Sequence, residues 1–395
     1  MRKTRPLPAL LLVALAILLA SCRPGADAPA GSQNGAVESQ YFAYFGTQTE
    51  GDGAGKGIYA YRFDPSTGEL SEIGLVAEMT YPAFLAVHPS QEYLYTVTAD
   101  EEGRGAVQAF DIDRVTGKLT ILNQVLSGGA GPVHLDIHSS GQMLAVANYR
   151  VGSTSSLPIK RDGSLGDAVS VLDHYGSSID PRRQGGPHAH SVNFSPDGRF
   201  AVSADLGTDD LFVFRADPQK ATLEFNDPAF AEVSPGSGPR HLTFHPSADY
   251  GYVINEMNNT LTVFRWDAEG GTIEIIQTLS TLPEGYSGTS YTAEVLVHPS
   301  GKYLYGSNRG HDSIVRFKID PTDGKLTVEG WASTQGEFPR NFNFDPSGAF
   351  LFAENQNSGT VVVFRIDPQS GELTPTDQVL HVPRPVCLRW VRATG

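Results

Sequence analysis

The chain holds two cysteines in 395 residues, so no disulfide framework can organise it. One of them, Cys22, stands just after the apolar run Leu10–Ala20, which is too short to span a bilayer comfortably. Positive charge is scarce. Twenty-nine Lys and Arg stand against 44 Asp and Glu, a formal net charge of −15, which argues against nucleic acid as a partner. Helix-period apolar stripes are missing after residue 40, which argues against an α-helical core. No G-x-S-x-G nucleophile elbow occurs, so an acyl-enzyme route through a serine has no support.

What is abundant is Gly (42) and Pro (26), the composition of a chain that turns often, and an all-β domain is expected. The N-terminus differs from the rest. Arg2, Lys3 and Arg5 precede the apolar run, and "LASC" ends at Cys22. Charged, apolar and small-residue regions in that order describe an export signal. Leu-Ala-Ser-Cys resembles the bacterial lipobox, which implies lipidation at Cys22 and an anchor in the cell envelope, on the periplasmic or outer-membrane side. Residues 23–40, "RPGADAPAGSQNGAVESQ", are small and polar and read as a flexible tether. Residues 41–395 remain as one domain, expected to be monomeric. With Cys22 lipidated, Cys387 is its only thiol, and removing residues 1–21 makes the net charge three units more negative.

That domain repeats itself. "AVHPSQEYLYTVT", "DIHSSGQMLAVAN", "NFSPDGRFAVSAD", "TFHPSADYGYVIN", "LVHPSGKYLYGSN" and "NFDPSGAFLFAEN" are one strand–turn–strand pattern written six times. Their turn markers, Pro89, Ser139, Pro196, Pro246, Pro299 and Pro346, recur every 47 to 57 residues. Further strands follow, linked by "IDPxxGxL" hairpin signals. Four strands in such a period make one propeller blade. The C-terminal "VPRPVCLRWV" is a first strand without a successor, and the N-terminal "YFAYFGT" and "GIYAYRFDPSTGEL" are later strands without a first. Pairing them makes a seventh four-stranded blade and closes the ring, leaving no open edge.

In such a blade the residues before the innermost strand and after the second one meet at one face. Six residues before the markers stand Ala83, Val133, His190, Arg240, Ala293 and Arg340, with Arg384 assigned to the closing blade. Nine residues after them stand Thr98, Asn148, Asp205, Asn255, Asn308 and Asn355, followed in some blades by Tyr149, Glu256 or Arg309. The Asn and Asp column suits strand-end capping. Capping does not require an imidazole, guanidiniums and a carboxylate from adjacent blades, so His190, Arg240, Glu256 and Arg309 are the candidate site at the channel mouth. His188, Asn148, Tyr149, Asp205 and Arg340 are candidate substrate contacts. His134 and His241, one residue out of register, are expected to face the neighbouring sheet. His88, His245 and His298, in "HPS", read as turn residues at the far end. The link Val171–Gly186, with Arg182 and Arg183, is either a basic lid or a solvated loop.

The stretches "ANYRVGS", "GPHAHSVNFSPDGRF", "GSGPRHLTFHPS", "NEMNNTLTVFRW" and "SNRGHDSIVRFKID" resemble the seven-bladed lactonase family, which includes propeller-type 6-phosphogluconolactonases and carboxymuconate cyclases. The resemblance covers essentially all of residues 41–395. It implies an enzyme that hydrolyses a sugar-acid or carboxylated lactone without metal or other cofactor, using His190, Arg240, Glu256 and Arg309. Two other readings stay open: a muconate-type lactonising cyclase or isomerase, and a non-catalytic propeller binding a ligand or protein at the envelope. An imidazole with the ordinary pKa of about 6.5 suits proton transfer near neutral pH.

Overall fold

A computed structural model describes residues 40–394. The expected export segment 1–22, with Cys22, and residues 23–39 of the expected tether lie outside the described residues. Twenty-eight strands form seven four-stranded antiparallel sheets, and no helix occurs among the described residues. The innermost strand of each blade contacts that of the next all the way round, a seven-bladed β-propeller. Blade 7 is shared between the chain ends. Its inner strand Pro385–Arg392 pairs antiparallel with Tyr41–Thr47, from Tyr41 opposite Arg392 to Thr47 opposite Pro385.

The alternation of each strand buries one face against the blade before and the other against the blade after. Phe63, Phe352 and Trp390, for example, interlock blades 6 and 7 with ring centroids 4.9 to 5.6 Å apart. Two polar links repeat alongside this apolar packing. Tyr44, Tyr95, Tyr252 and Tyr305, all fully buried, donate their hydroxyls to Gly117, Gly163, Gly324 and Gly371 carbonyls in the next blade. At the far face, His88, His138, His245 and His298 bond through Nε2 to the carbonyls of Gly141, Gly198, Gly301 and Gly348, at 2.8 to 3.0 Å. In each case Nδ1 accepts from the backbone N–H two residues on where that contact forms, as from Ser90 and Ser140, which leaves the proton on Nε2 for the link. The turn histidines are therefore inter-blade staples. Gly141 shows what the partner turn must supply: φ is +71°, and a Cβ there would lie 2.4 Å from His88 Nε2.

Two expected outcomes follow. Ending the chain at Arg384 removes the closing strand and strips Tyr41–Thr47 of its partner; loss of a cooperative unfolding transition, read by circular dichroism during urea titration, is expected. His138→Ala removes one staple of several and is expected to cost about 1 kcal/mol while cooperativity persists.

Candidate active site

The channel mouth is built by a backbone irregularity that repeats around the ring. The inner strands of blades 2, 3, 4 and 6 each skip one residue in pairing with the second strand, between Pro132 and His134, Ala189 and Ser191, Pro239 and His241, and Pro339 and Asn341. The unpaired residues are Val133, His190, Arg240 and Arg340, and Ala293 and Val386 occupy the same step in blades 5 and 7. A bulge lets two consecutive side chains turn to one side of a strand. The result is two layers in the channel. The upper layer holds His190, Arg240 and Arg340; the lower one holds His134, His241, Glu294 and Asn341.

The upper layer meets residues from the ends of the second strands. Glu256, just after Tyr250–Asn255, lies at the centre. Its Oε2 is 2.7 Å from Arg309 Nη2 and 3.3 Å from Arg240 Nε, and its Oε1 is 2.7 Å from Arg183 Nη2. The Arg240 contact is an ion pair without hydrogen-bond alignment, since that Nε has no hydrogen-bond partner. Arg240 instead donates through Nη1 to Ala293 O at 2.7 Å. Arg309 also donates to Thr292 O and lies over the Phe338 ring. His190, Arg240, Glu256 and Arg309 are only 2 to 7% exposed, so their charges interact where water screens them weakly.

Charge there is lopsided. Burial raises the Glu256 carboxyl, but Arg309 and Arg240 outweigh it and hold the acid well below its usual range, so it is ionised. Burial, then Arg309 and Arg340, push Arg240 well below its ordinary value. Burial and then Arg309 bring Arg340 down to about 10. Arg340 has no hydrogen-bond or ion-pair partner among the described residues. Four guanidiniums thus share one carboxylate, and the site is short of negative charge. His190 is pushed well below 6.5, first by burial and then by Arg240 and His241. Its ring is neutral, and its Nδ1 has no partner. The ordinary pKa expected from sequence does not apply at this depth.

The loop Val171–Gly186 resolves into two arginines with different fates. Arg182 is exposed beside Asp180, whereas Arg183 turns inward to Glu256 and, at 3.5 Å, Tyr149 Oη. The loop is pinned by Gln184, which is fully buried and donates to Leu206 O, and by Ser178 on Asp209. Tyr149 stacks on His188 with centroids 4.7 Å apart and meets His190 edge-on at 5.3 Å. His188 is held by Tyr149 O at Nδ1 and by Asp205 at its backbone N–H.

Two expected substrate contacts take no part in the mouth. Asp205 is fully buried and accepts from His188, Gly207 and Thr208 N–H groups and pairs with His174 at 2.7 Å. Asn148 is fully buried with its amide on Ser153 and Ser155. His134 and His241 reach the neighbouring sheets as expected, His134 accepting from Val192 N–H and His241 pairing with Glu294, and both also line the channel, with ring centroids 5.1 Å apart. Arg384 is not the blade 7 counterpart of Arg240: Pro385 pairs with Thr47, so Val386 takes that step. The signal for this was present in the sequence. Pro132, Pro239, Pro339 and Pro385 each precede the bulge residue, and Gly131, Gly238, Phe338 and Arg384 before them all have positive φ. Proline suits the start of a bulged strand because it has no N–H to leave unpaired.

Comparison with known proteins gives a consistent family. A family model described as "Lactonase, 7-bladed beta-propeller" matches residues 42–390. A 6-phosphogluconolactonase of Bacillus subtilis is 35% identical over 353 residues, spanning 89% of this chain and 99% of that protein. One from Formosa agariphila is 35% identical over 298 residues, 74% of this chain and 83% of its own. The solved structure of a periplasmic gluconolactonase from Pseudomonas aeruginosa is 36% identical with a TM-score of 0.84, covering 89% of this chain and 99% of that one.

The charge imbalance is testable without turnover. Glu256→Gln leaves four guanidiniums without their shared carboxylate and is expected to cost about 3 kcal/mol in urea unfolding. Millimolar phosphate is expected to raise the melting temperature of this variant more than that of the wild type, by supplying the missing negative charge.

Proposed function

Because the chain belongs to the seven-bladed β-propeller lactonase family, we propose that it opens a lactone carrying a carboxylate or phosphate, with His190 as the base. The enzyme is a lactone hydrolase, as relatives of 35% identity named 6-phosphogluconolactonase support. The observation that carries the anionic substrate is Arg340, a mostly buried guanidinium beside Arg309 with no hydrogen-bonded partner among the described residues, whose one nearby counter-charge, Glu256, is already shared by three other arginines. A ligand anion at this point supplies what Glu256 alone cannot, through paired charge-assisted hydrogen bonds.

The chemistry follows from the charge states. Neutral His190 takes a proton from water as the water oxygen attacks the lactone carbonyl. The developing oxyanion lies among buried guanidiniums, where fixed positive charge lowers the barrier most. The imidazolium then hands its proton to the departing ring oxygen. Glu256, ionised and engaged by Arg183, Arg240 and Arg309, holds the guanidiniums in place and is not an acid. Arg183 occupies the mouth as a lid, so substrate entry requires it to swing from Glu256 and re-form on the bound anion.

We also propose that the chain is exported and lipid-anchored through Cys22. The lipobox-like "LASC" supports this reading, and the periplasmic naming of the Pseudomonas relative agrees with export. The lactone is then one met outside the cytoplasm.

Three measurements check these statements. Following acid release from a panel of γ- and δ-lactones, turnover is expected for anionic members, and Arg340→Ala is expected to raise KM about tenfold or more, the loss of one charged hydrogen bond. Because the folded pKa of His190 lies well below 6.5, the base stays deprotonated as pH falls through that value; kcat/KM is expected to hold there, and an acid limb centred near 6.5 would contradict the assignment. Cys22→Ser is expected to move the exported protein from the membrane to the soluble fraction.

A further inference from the structure

Beneath the site the channel opens into a second space. A cavity of about 290 Å3 runs down the ring axis, lined by inner-strand residues of all seven blades. Its walls include Asp136, Asn193, Thr243, Asn343 and Arg389. Asn193 Oδ1 and Trp390 Nε1, both on this wall, are buried with no partner in the protein. A polar cavity with unsatisfied donors and acceptors holds water. At its inner end stand His134, His241 and Glu294. This lower layer is the partition, one side chain thick, between the shaft and His190.

The partition has the parts of a proton path. His241 meets His190 with ring centroids 5.4 Å apart at 65°, an edge-to-face contact. On its other side, His241 Nδ1 lies 3.0 Å from Glu294 Oε1. Glu294 also accepts from Val295 N–H, and through Oε2 from the Asn341 amide, so its carboxylate is fixed in place. That leaves the His241 proton on Nδ1 and its Nε2 lone pair as an acceptor. His190, the nearest ring, has its own Nδ1 unpartnered.

We propose that His241 and Glu294 form a proton-transfer pair that takes the proton of lactone hydrolysis from His190 to the water of the lower shaft. This rests on His190 being the base. Hydrolysis joins water oxygen to the carbonyl carbon and breaks the bond to the ring oxygen. The water proton passes through His190 to that oxygen, and the new carboxylic acid then ionises at neutral pH. One proton per turnover must leave a site whose upper exit is filled by product and by Arg183. It passes from the product acid to His190 and from His190 to His241 Nε2. The Nδ1 proton moves to Glu294 Oε1 and on to shaft water, and a turn of the His241 ring, which brings the newly protonated nitrogen to Glu294 and the bare one to His190, resets the pair. No other group changes its bonds.

The charges around the pair suit the task. His241 faces Arg240, Arg340, Arg389 and Arg309 as well as His134 and His190, and burial and those cations keep it neutral between transfers. Burial raises the Glu294 carboxyl against the pull of Arg240, Arg389 and His134, which makes it a better proton acceptor. Neither residue touches the mouth, so both act through His190.

The test separates relay from scaffold. His241→Phe is expected to lower kcat about tenfold or more, with KM within about twofold because the arginines are untouched. In His241→Ala, imidazole in the buffer is expected to restore kcat in a saturating manner, while leaving wild type and His241→Phe unchanged. Melting temperatures of all three report whether the fold is kept. Thr243→Trp, which narrows the shaft from below, is expected to lower kcat with KM unchanged. Folded His241→Phe with wild-type kcat, or folded His241→Ala that imidazole does not rescue, would overturn the relay and leave the lactonase reading standing. A wild type inactive on every anionic lactone would overturn both.

Discussion

The Glu256 carboxylate gathers Arg183, Arg240 and Arg309 from three different parts of the ring, and the rest of the site depends on that convergence. Arg240 comes from the bulge of blade 4, Arg309 from the end of a second strand in blade 5, and Arg183 from the link into blade 3. One negative charge cannot satisfy them together with Arg340. In a site so little exposed, water and salt screen the deficit weakly, which supports the proposed capture of an anion. The same cations keep His190 neutral. The proposed anion capture and the neutral state of His190, to which burial contributes first, are therefore linked through one charge arrangement.

Two structural conditions hold that arrangement. The ring must close, because only then does blade 7 have its inner strand and the channel a complete wall; the pairing of Pro385–Arg392 with Tyr41–Thr47 provides this. The inner strands must also be bulged. A regular strand alternates its side chains, so Arg240 and His241 would face opposite ways. The repeated bulge sends both into the channel and so creates a charged upper layer and a titratable lower one. Tyrosine and histidine links between blades keep these layers in register without using any residue of the mouth.

Much of this was legible in the sequence, for a physical reason. Turn chemistry and strand alternation recur with each blade, so period, blade number and the complementary chain ends could be read from Pro89 to Pro346 and from the two terminal fragments. Counting from those turns singled out His190, Arg240, Glu256 and Arg309, which the structure brings together at the mouth. It set His134 and His241 against the neighbouring sheets, where Val192 N–H and Glu294 meet them, but missed their place on the channel wall, because parity counting assumes an unbroken ladder and a bulge shifts it by one. It displaced the blade 7 position to Arg384 for the same reason, although the prolines before each bulge marked the step. It could not choose a fate for Arg183, whose inward turn depends on contacts such as Gln184 with Leu206 that lie far from any repeat. Asn148 and Asp205 sat in the right column, but hydrogen bonds within the scaffold consume them.

The most direct test is a crystal structure of the protein soaked with a phosphorylated or carboxylated sugar acid, the ring-opened product. The account predicts the anionic group between Arg309 and Arg340, Arg183 moved off Glu256, and the new carboxyl group beside His190. Product seated in the lower shaft or on an outer edge, with Arg183 and Glu256 still joined and the mouth empty, would contradict it.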